Sequence, residues 1–589
     1  MYTDEMNAQI VIALLKAHGI RKVVANPGTT NISFVGTVQN DPWFEVFSGI
    51  DERHSAYMAV GMAAESGEPV VLSCTGATAS RNYFPALTEA YYRKLPILAL
   101  TSIHHMNSAG NLLPQMLDRT QQPKDTVRFS LQCPVPITPQ QVDDCVSNVN
   151  KAILELFRHG GGPVHINLET ERTFSFKTEK LPDVRVIRRI ANFGNAWPEI
   201  PKNAKVAVWA SCHKKFSSEE TAALSHFAKV HNAVVFIDST SSSYMGAGSV
   251  FASIVAQQRG FFRNPAYVEM IPDIVIQIGE VNGDYSTMNI VKHAKEVWRV
   301  SEDGEARDLF NKLTYVFELP EEVFFQHYSD GESHALEYAA KWQNAVAGLH
   351  NGIPDLPFGN LWIASLMHGR LPEGACLHLG ILNSLRTWNM FPIARGVDSS
   401  CNVGGFGIDG CMSTMIGASL ASPKKLFFGV FGDLAFFYDM NSLGNRHLGK
   451  NLRILLINNG CGAEFNLSSH PASKFGEQVY DYIAAGRHFG NQSHEIVRHY
   501  VTDLGFRYLT ASNKEEFKVN LDEFVSPRME VPVLFECFVD PKDESKALEM
   551  ISEIAPWNGT SASTSQTFKG RIKATVPQCV KNAIKELIK

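Results

Sequence analysis

The chain of 589 residues has no CxxC pair; its ten cysteines are scattered singly. That spacing excludes a zinc ribbon, a thioredoxin-type motif and a disulfide framework, and it fits the reducing cytoplasm. No apolar run reaches membrane-spanning length. The opening MYTDEMNAQIVIALLKAHG lacks a basic start and a continuous apolar core, so it reads as an amphipathic helix and not as a signal peptide. Lys and Arg form no block able to track a phosphate backbone, and the formal net charge is −6, so neither nucleic acid nor membrane is an expected partner. What is present, at 44% apolar and 19% charged residues, is an ordinary soluble composition in a chain long enough for about three domains.

Taken in order, TDEM from Thr3 is a capping-type start for a helix ending near Gly19, and RKVVANPGTTN gives a strand broken at Pro27-Gly28. Strands follow at VFSGI, VVLSC, ILALT and GPVHINLE, with helices beginning near Arg53 and Ala79. This is the pattern of a doubly wound parallel sheet. After the linker TEKLPDVRVIRR, the strands KVAVWA, AVVFID and DIVIQIGE alternate with helical stretches in a second α/β unit without a Gly-rich phosphate turn, which reads as architectural. A charged, less ordered-looking stretch from Asp303 to Asp355 leads to a third unit starting near Phe358. From Pro541 the chain reads as a surface extension, with the polar run GTSASTSQT before a final basic helix.

The most informative stretch runs from Leu426 to Phe465. LFFGVF is an unbroken apolar run, expected to be a strand buried on both faces, and it stops at Asp433. After a helical segment, the apolar ILLI stops at Asn458-Asn459. Parallel strands joined by a right-handed crossover end at one sheet edge, where Asp433 and Asn459 can meet. They offer oxygen only, a donor set suited to Mg²⁺ sharing its shell with water and phosphate.

Gly432-Asp433, with Asn459 standing 26 positions beyond Asp433, resembles the signature of thiamine diphosphate enzymes. Within that family, GDLAFFYDMNSL and GGFGIDGCMST are most similar to the succinyl-enolpyruvyl-hydroxycyclohexene-carboxylate synthases of menaquinone synthesis. The resemblance implies an α/β fold of three doubly wound parallel-sheet domains. Residues 1–185 would bind the pyrimidine, 186–345 would be central, 355–540 would bind diphosphate and Mg²⁺, and 541–589 would be the extension. It also implies thiamine diphosphate and Mg²⁺ as cofactors, a 2-oxo acid donor with a separate acceptor, and a homodimer or homotetramer. Asp433, Asn459 and the Cys461 carbonyl would hold the metal. Gly407, Ile408, Gly432, Leu434, Ala435 and Thr78 would contact the cofactor, with Ile408 as the wedge that bends it. Glu52, at a strand-to-helix handover whose bland reading is a helix cap, would exchange a proton with the pyrimidine.

The rival reading uses Gly405 to Gly410, which fit the GxGxxG dinucleotide fingerprint ahead of a helix. It leaves Glu52 and Asn458-Asn459 unused. Substrate candidates come from loops at the same edge: Thr29 and Thr30 in NPGTTN, His104 and His105, Gln115, Asn383, Ser384, Arg386 and Glu464. The synthases carry an Arg in the NPGTTN-like turn and another in the loop of His104 and His105. Here both are replaced, and no Thr grips a carboxylate as a guanidinium does. The expectation is an intact cofactor apparatus beside an altered substrate apparatus, with the donor and acceptor open. Protonation in place of acceptor attack would leave a simple decarboxylase.

Overall fold

The computed structural model describes residues 1–171, 174–186, 197–304, 307, 309–310, 312–467, 470–488 and 492–554. Its frame is three parallel sheets of six strands each. The first places Glu45–Ser48, Lys22–Ala25, Val70–Cys74, Ile97–Ile103, Val164–Glu169 and Phe129–Cys133 side by side. The third places Asp398–Cys401, Cys376–Leu379, Phe427–Gly432, Leu452–Asn458, Val533–Phe538 and Arg507–Ala511 in the same relative order. Its two central strands, Phe427–Gly432 and Leu452–Asn458, are buried along nearly all their length and mostly apolar, with Arg453 and Asn458 the buried polar exceptions, because helices cover both faces.

The sheet between them is wound differently. Val206–Ala210 lies inside, Val234–Phe236 and Ser249–Val250 extend one side, and Ile274–Ile278, Glu296–Val300 and Leu313–Phe317 extend the other. That is the strand order of dinucleotide-binding domains. Its first strand nevertheless runs into Ser211-Cys212-His213, with no glycine to admit a pyrophosphate. The GxGxxG run follows Asp398–Cys401, an edge strand of the third sheet. A dinucleotide fingerprint needs motif and inner strand together, and here they lie in different sheets.

The first and third units are locked by their helices Glu52–Ser66 and Cys411–Ala421. A Cβ on Gly61 would fall on the Thr414 carbonyl, and one on Gly417 would fall on the Met58 carbonyl. The two backbones touch at reciprocal glycines, which no larger residue permits.

Three expectations need correction. The first helix spans Met6–Ala17, and Thr3 is not its cap; the Thr3 hydroxyl instead accepts the Glu5 N–H at 3.3 Å. From Leu313 the charged stretch is regular: it supplies the edge strand Leu313–Phe317 and the helices Glu321–His327 and Glu337–Asn351. Tyr338, Trp342, Ala345 and Leu349 recur at helical spacing there and are buried. The chain from Pro541 is not a surface extension at its start. Pro541–Ser552 is a helix burying Ala547, Leu548 and Ile551, and the Glu544 carboxylate accepts the Asn360 N–H at 2.6 Å. GTSASTSQT and the final basic segment lie outside the described residues.

Candidate active site

At the C-terminal edge of the third sheet, Gly432 ends its strand in extended backbone and Asp433 begins the helix Asp433–Asp439. The Asp433 carboxylate is 5% exposed and accepts backbone N–H groups, including those of Leu434 and Gly460. The Gly460 bond joins this helix start to the turn after Leu452–Asn458, so the two strand ends meet. Burial, with Glu536 adding like charge, pushes the Asp433 carboxyl up to about 7. Asn459 Oδ1 accepts the Cys461 N–H at 3.2 Å, folding the turn back on itself, with Gly460 at φ +75°. Its neighbour Asn458 donates to Glu536 at 2.8 Å, and Tyr508 donates to the other Glu536 oxygen at 2.8 Å. Leu434 is half-buried and Ala435 is buried along the same turn, while a Cβ on Gly432 would meet open space.

This arrangement fits a cation shared with a diphosphate. No cluster of three His, Cys, Asp or Glu side chains able to hold a metal occurs among the described residues. One carboxylate, one amide and a carbonyl leave the rest of an octahedral shell to ligand oxygens. Gly432 leaves room for them, since a Cβ there would meet nothing within 4 Å.

The glycine loop before Cys411–Ala421 is held from the first unit. Buried Glu89 accepts the Gly405 N–H and pairs with Arg93 at 3.4 Å. The Tyr57 hydroxyl donates to Asp409 at 3.3 Å. Phe406 takes φ +56°, and Ile408 packs partly buried against the core next to Gly407.

Glu52 opens the helix Glu52–Ser66, but the cap is its neighbour Asp51, whose side chain accepts the His54 N–H at 2.8 Å. The Glu52 carboxylate is half-buried and has no hydrogen-bond partner among the described residues. Its charge reaches Cys74 and Tyr83, whose pKa values are raised first by burial. A buried relay fixes this helix start. Asn445 Nδ2 can only donate, so His54 Nε2 accepts at 3.1 Å; His54 Nδ1–H then donates to Ser413 Oγ at 2.7 Å, and Ser413 donates to Asp439. Burial lowers the His54 pKa to about 4, keeping it neutral. Arg53 donates to the Tyr438 carbonyl at 2.8 Å and Asn441 to Asp51 at 3.2 Å. Within one chain, the Glu52 turn therefore abuts the far end of the Asp433–Asp439 helix, away from Asp433.

The substrate candidates divide. Thr30 is buried, with Oγ1 2.7 Å from Thr75 Oγ1 and 3.2 Å from the Ser102 carbonyl, while Thr29 is exposed. His104 donates from Nδ1 to the Thr170 carbonyl at 2.9 Å, and its ring lies tilted against that of exposed His105. Thr78 is exposed at a short helix start. Gln115 is exposed, at φ +67°. Arg386 makes a bidentate pair with Glu464 at 2.7 and 2.8 Å and donates to Asn383 Oδ1 at 2.8 Å. Buried Ser384 accepts from Asn360 at 3.5 Å. Sequence reasoning missed Arg119, which comes to the edge beside Thr30. Its signal was a lone Arg in DRTQQ, without periodicity around it.

Residues 6–124 match the model of the thiamine pyrophosphate enzyme N-terminal TPP binding domain. The 2-succinyl-5-enolpyruvyl-6-hydroxy-3-cyclohexene-1-carboxylate synthase of Bacteroides thetaiotaomicron is 30% identical over 561 residues, covering 93% of this chain and 98% of that protein. The chain belongs to this family of thiamine pyrophosphate-dependent synthases. The Flavobacterium psychrophilum synthase is 26% identical, with 89% and 95% covered. Among solved structures, the thiamine diphosphate-dependent 4-hydroxybenzoylformate decarboxylase of Rhodococcus jostii superposes with a TM-score of 0.61 at 16% identity, covering 91% of this chain and 99% of that one. That likeness bears on the three-sheet fold alone.

Proposed function

We propose that the protein decarboxylates a 2-oxo acid with thiamine diphosphate and Mg²⁺ and joins the remaining fragment to an acceptor. The meeting of Asp433 with the Asn459 turn at adjoining strand ends carries this reading, supported by membership of a synthase family. Asp433, Asn459 and the Cys461 carbonyl would hold Mg²⁺; Gly432, Leu434 and Ala435 would line the diphosphate, and Gly407, Ile408 and Thr78 the rest. When bound, thiamine diphosphate supplies a carbon nucleophile and an electron sink for the loss of CO₂. Glu52 would hold or release a proton at the pyrimidine, its carboxylate left free of the cap role that Asp51 fills.

Glu52 meets the wrong end of the Asp433 helix within one chain, so the working site would pair Glu52 of one copy with Asp433 of another, in a homodimer or homotetramer. Cytoplasmic residence fits the absence of disulfides among the described cysteines. No helix among the described residues is long and apolar enough to cross a membrane. The test is CO₂ release from a panel of 2-oxo acids with both cofactors, each acid alone and with candidate acceptors. An acceptor-dependent product supports ligation. Release with only the aldehyde formed would reduce the function to simple decarboxylation, and no release from any acid would overturn the reading.

A further inference from the structure

Cys133 ends the strand Phe129–Cys133, which lies at the border of the first sheet and pairs there with Val164–Glu169. Cys145 sits inside the helix that follows, Pro139–Glu155. They stand 12 positions apart along the chain, outside any motif spacing, yet their sulfurs are 3.7 Å apart and both thiols are free. A disulfide bond is about 2 Å long, so the sulfurs need to approach by less than about 2 Å. The backbone on either side is held. Asn7 donates to the Cys133 carbonyl at 3.1 Å and to the Glu169 carbonyl at 2.8 Å. A capping box closes the helix start: Thr138 Oγ1 accepts the Gln141 N–H at 3.3 Å, and Gln141 Oε1 accepts the Thr138 N–H at 3.0 Å. Side-chain rotation is therefore the movement left to close the gap. The pair is buried against Leu131, Val146 and Val149, with Cys133 2% and Cys145 7% exposed. The turn that joins them is not: Pro134 and residues 137–141 are exposed, Ile137 at 86%. That cover admits a water-sized oxidant and leaves no room for a tripeptide disulfide. The hydrogen bond between the thiols holds the Cys145 pKa down and pushes that of Cys133 up, which burial raises further. The thiolate is the nucleophile, so Cys145 is the attacking sulfur and Cys133 the resolving one.

We infer that Cys133 and Cys145 form a peroxide-responsive modification site, at which hydrogen peroxide converts the two free thiols into a disulfide joining the edge strand to its following helix. The Cys145 thiolate attacks one peroxide oxygen. The O–O bond breaks, Cys145 becomes a sulfenic acid, and the hydroxide released takes up the proton that the thiol gave. The Cys133 sulfur then attacks the sulfenic sulfur: the S–S bond forms, the S–O bond breaks, and the departing hydroxide leaves as water with the Cys133 proton. The two thiols have lost two electrons and two protons, and one peroxide has become two waters. A dithiol reductant reverses the step by exchange, so the bond is transient in a reducing compartment. Its effect follows from its place. An edge strand has neighbours on one side only, and the bond ties its end to the helix packed on it and closes the exposed turn, which stabilises the first unit. Nothing in this chemistry depends on the proposed decarboxylation.

The test exposes reduced full-length protein to hydrogen peroxide, alkylates the remaining thiols and reads the peptides by mass spectrometry without reduction. No Lys or Arg separates the two cysteines, so a tryptic digest keeps both in one peptide. The disulfide should leave that peptide unalkylated and two hydrogens lighter, and cutting it at Asp143-Asp144 should leave the halves joined. Cys579 lies outside the described residues, so the linked peptide is the readout and not the loss of total thiol. In the wild type the linked form should predominate, with a melting temperature raised by at least about 2 °C, and dithiothreitol should return both to the starting values. Glutathione disulfide at equal concentration should form the link at least tenfold more slowly; equal rates would overturn the assignment to peroxide. Cys133→Ala should leave a Cys145 sulfenic acid that dimedone labels, while in Cys145→Ala the Cys133 thiol should stay alkylatable and peroxide should not move the melting temperature. A wild-type peptide that stays fully alkylated in a folded, peroxide-treated chain would overturn the inference, as would Cys145 oxidised to a sulfinic acid with no link. A complete link with no rise in melting temperature would remove the stabilising role.

Discussion

The first and third sheets share one strand order, yet their C-terminal edges are finished in opposite ways. At the third, polar side chains are satisfied from within the chain: Asp433 by backbone N–H groups, Asn458 by Glu536, Arg386 by Glu464. At the first, Glu52 has no hydrogen-bond partner among the described residues, and Arg119 leaves Nε and Nη1 unpaired. A closed edge is preorganised and, in the proposed function, would receive a metal and a diphosphate without rearranging. An open edge must be completed from outside, by cofactor, substrate or another copy of the chain.

The comparison breaks most severely at Glu52. Glu52→Gln keeps shape and removes the titrating oxygen, so turnover should fall by about 10²–10⁴-fold with cofactor binding little changed. Near wild-type rates in steady-state kinetics would show that the open edge has no proton role. Asp433→Ala attacks the closed edge and should weaken Mg²⁺-dependent thiamine diphosphate binding by about 100-fold, or about 2.7 kcal/mol. Calorimetric titrations indistinguishable from the wild type would remove the metal assignment.

A smaller effect comes from His165, behind the open edge, bonded to Thr101 at 2.8 Å and Ser130 at 2.9 Å. Burial first, then the charges of Arg119 and Arg81, lowers its pKa to about 3. A group whose folded pKa lies below its unfolded value of 6.5 binds its proton first in the unfolded chain, so its contribution is complete above pH 6.5 and is lost as pH falls. Between pH 7.5 and 5 that loss is about 2 kcal/mol. His165→Gln should lack this component in urea unfolding, and parallel pH profiles would contradict it. The smallest effect is at the closed edge. Glu464→Ala unpairs Arg386 where both side chains are 19% exposed, so solvent screening limits the cost to about 1 kcal/mol. A loss of several kcal/mol in urea unfolding would mean that the pair anchors the site and does more than close it.

Much of the frame was legible in the sequence because it rests on strong local signals. LFFGVF and ILLI can only be strands in that context, and Asp433 and Asn458 end them by turn chemistry, so a spacing along the chain became a meeting in space. The stretch after Asp303 was misread because its charges mask an apolar stripe, Tyr338, Trp342, Ala345 and Leu349, that only helical counting exposes. Arg119 was illegible for another reason. It follows a loop with little regular structure, positive φ at His105, Leu112 and Gln115, and Leu112 99% exposed. No periodicity there tells an inward side chain from an outward one.

The central claim, that the open edge of one copy is completed by the closed edge of another, is tested most directly by co-expressing Glu52→Gln and Asp433→Ala chains with different tags and assaying the purified mixed oligomer. Each parent is expected to be inactive. The account predicts that a mixed dimer regains about half the wild-type rate, because one of its two sites then combines an intact Glu52 with an intact Asp433. A mixed oligomer as inactive as its parents would place both residues in a site made by a single chain, or in no common site at all.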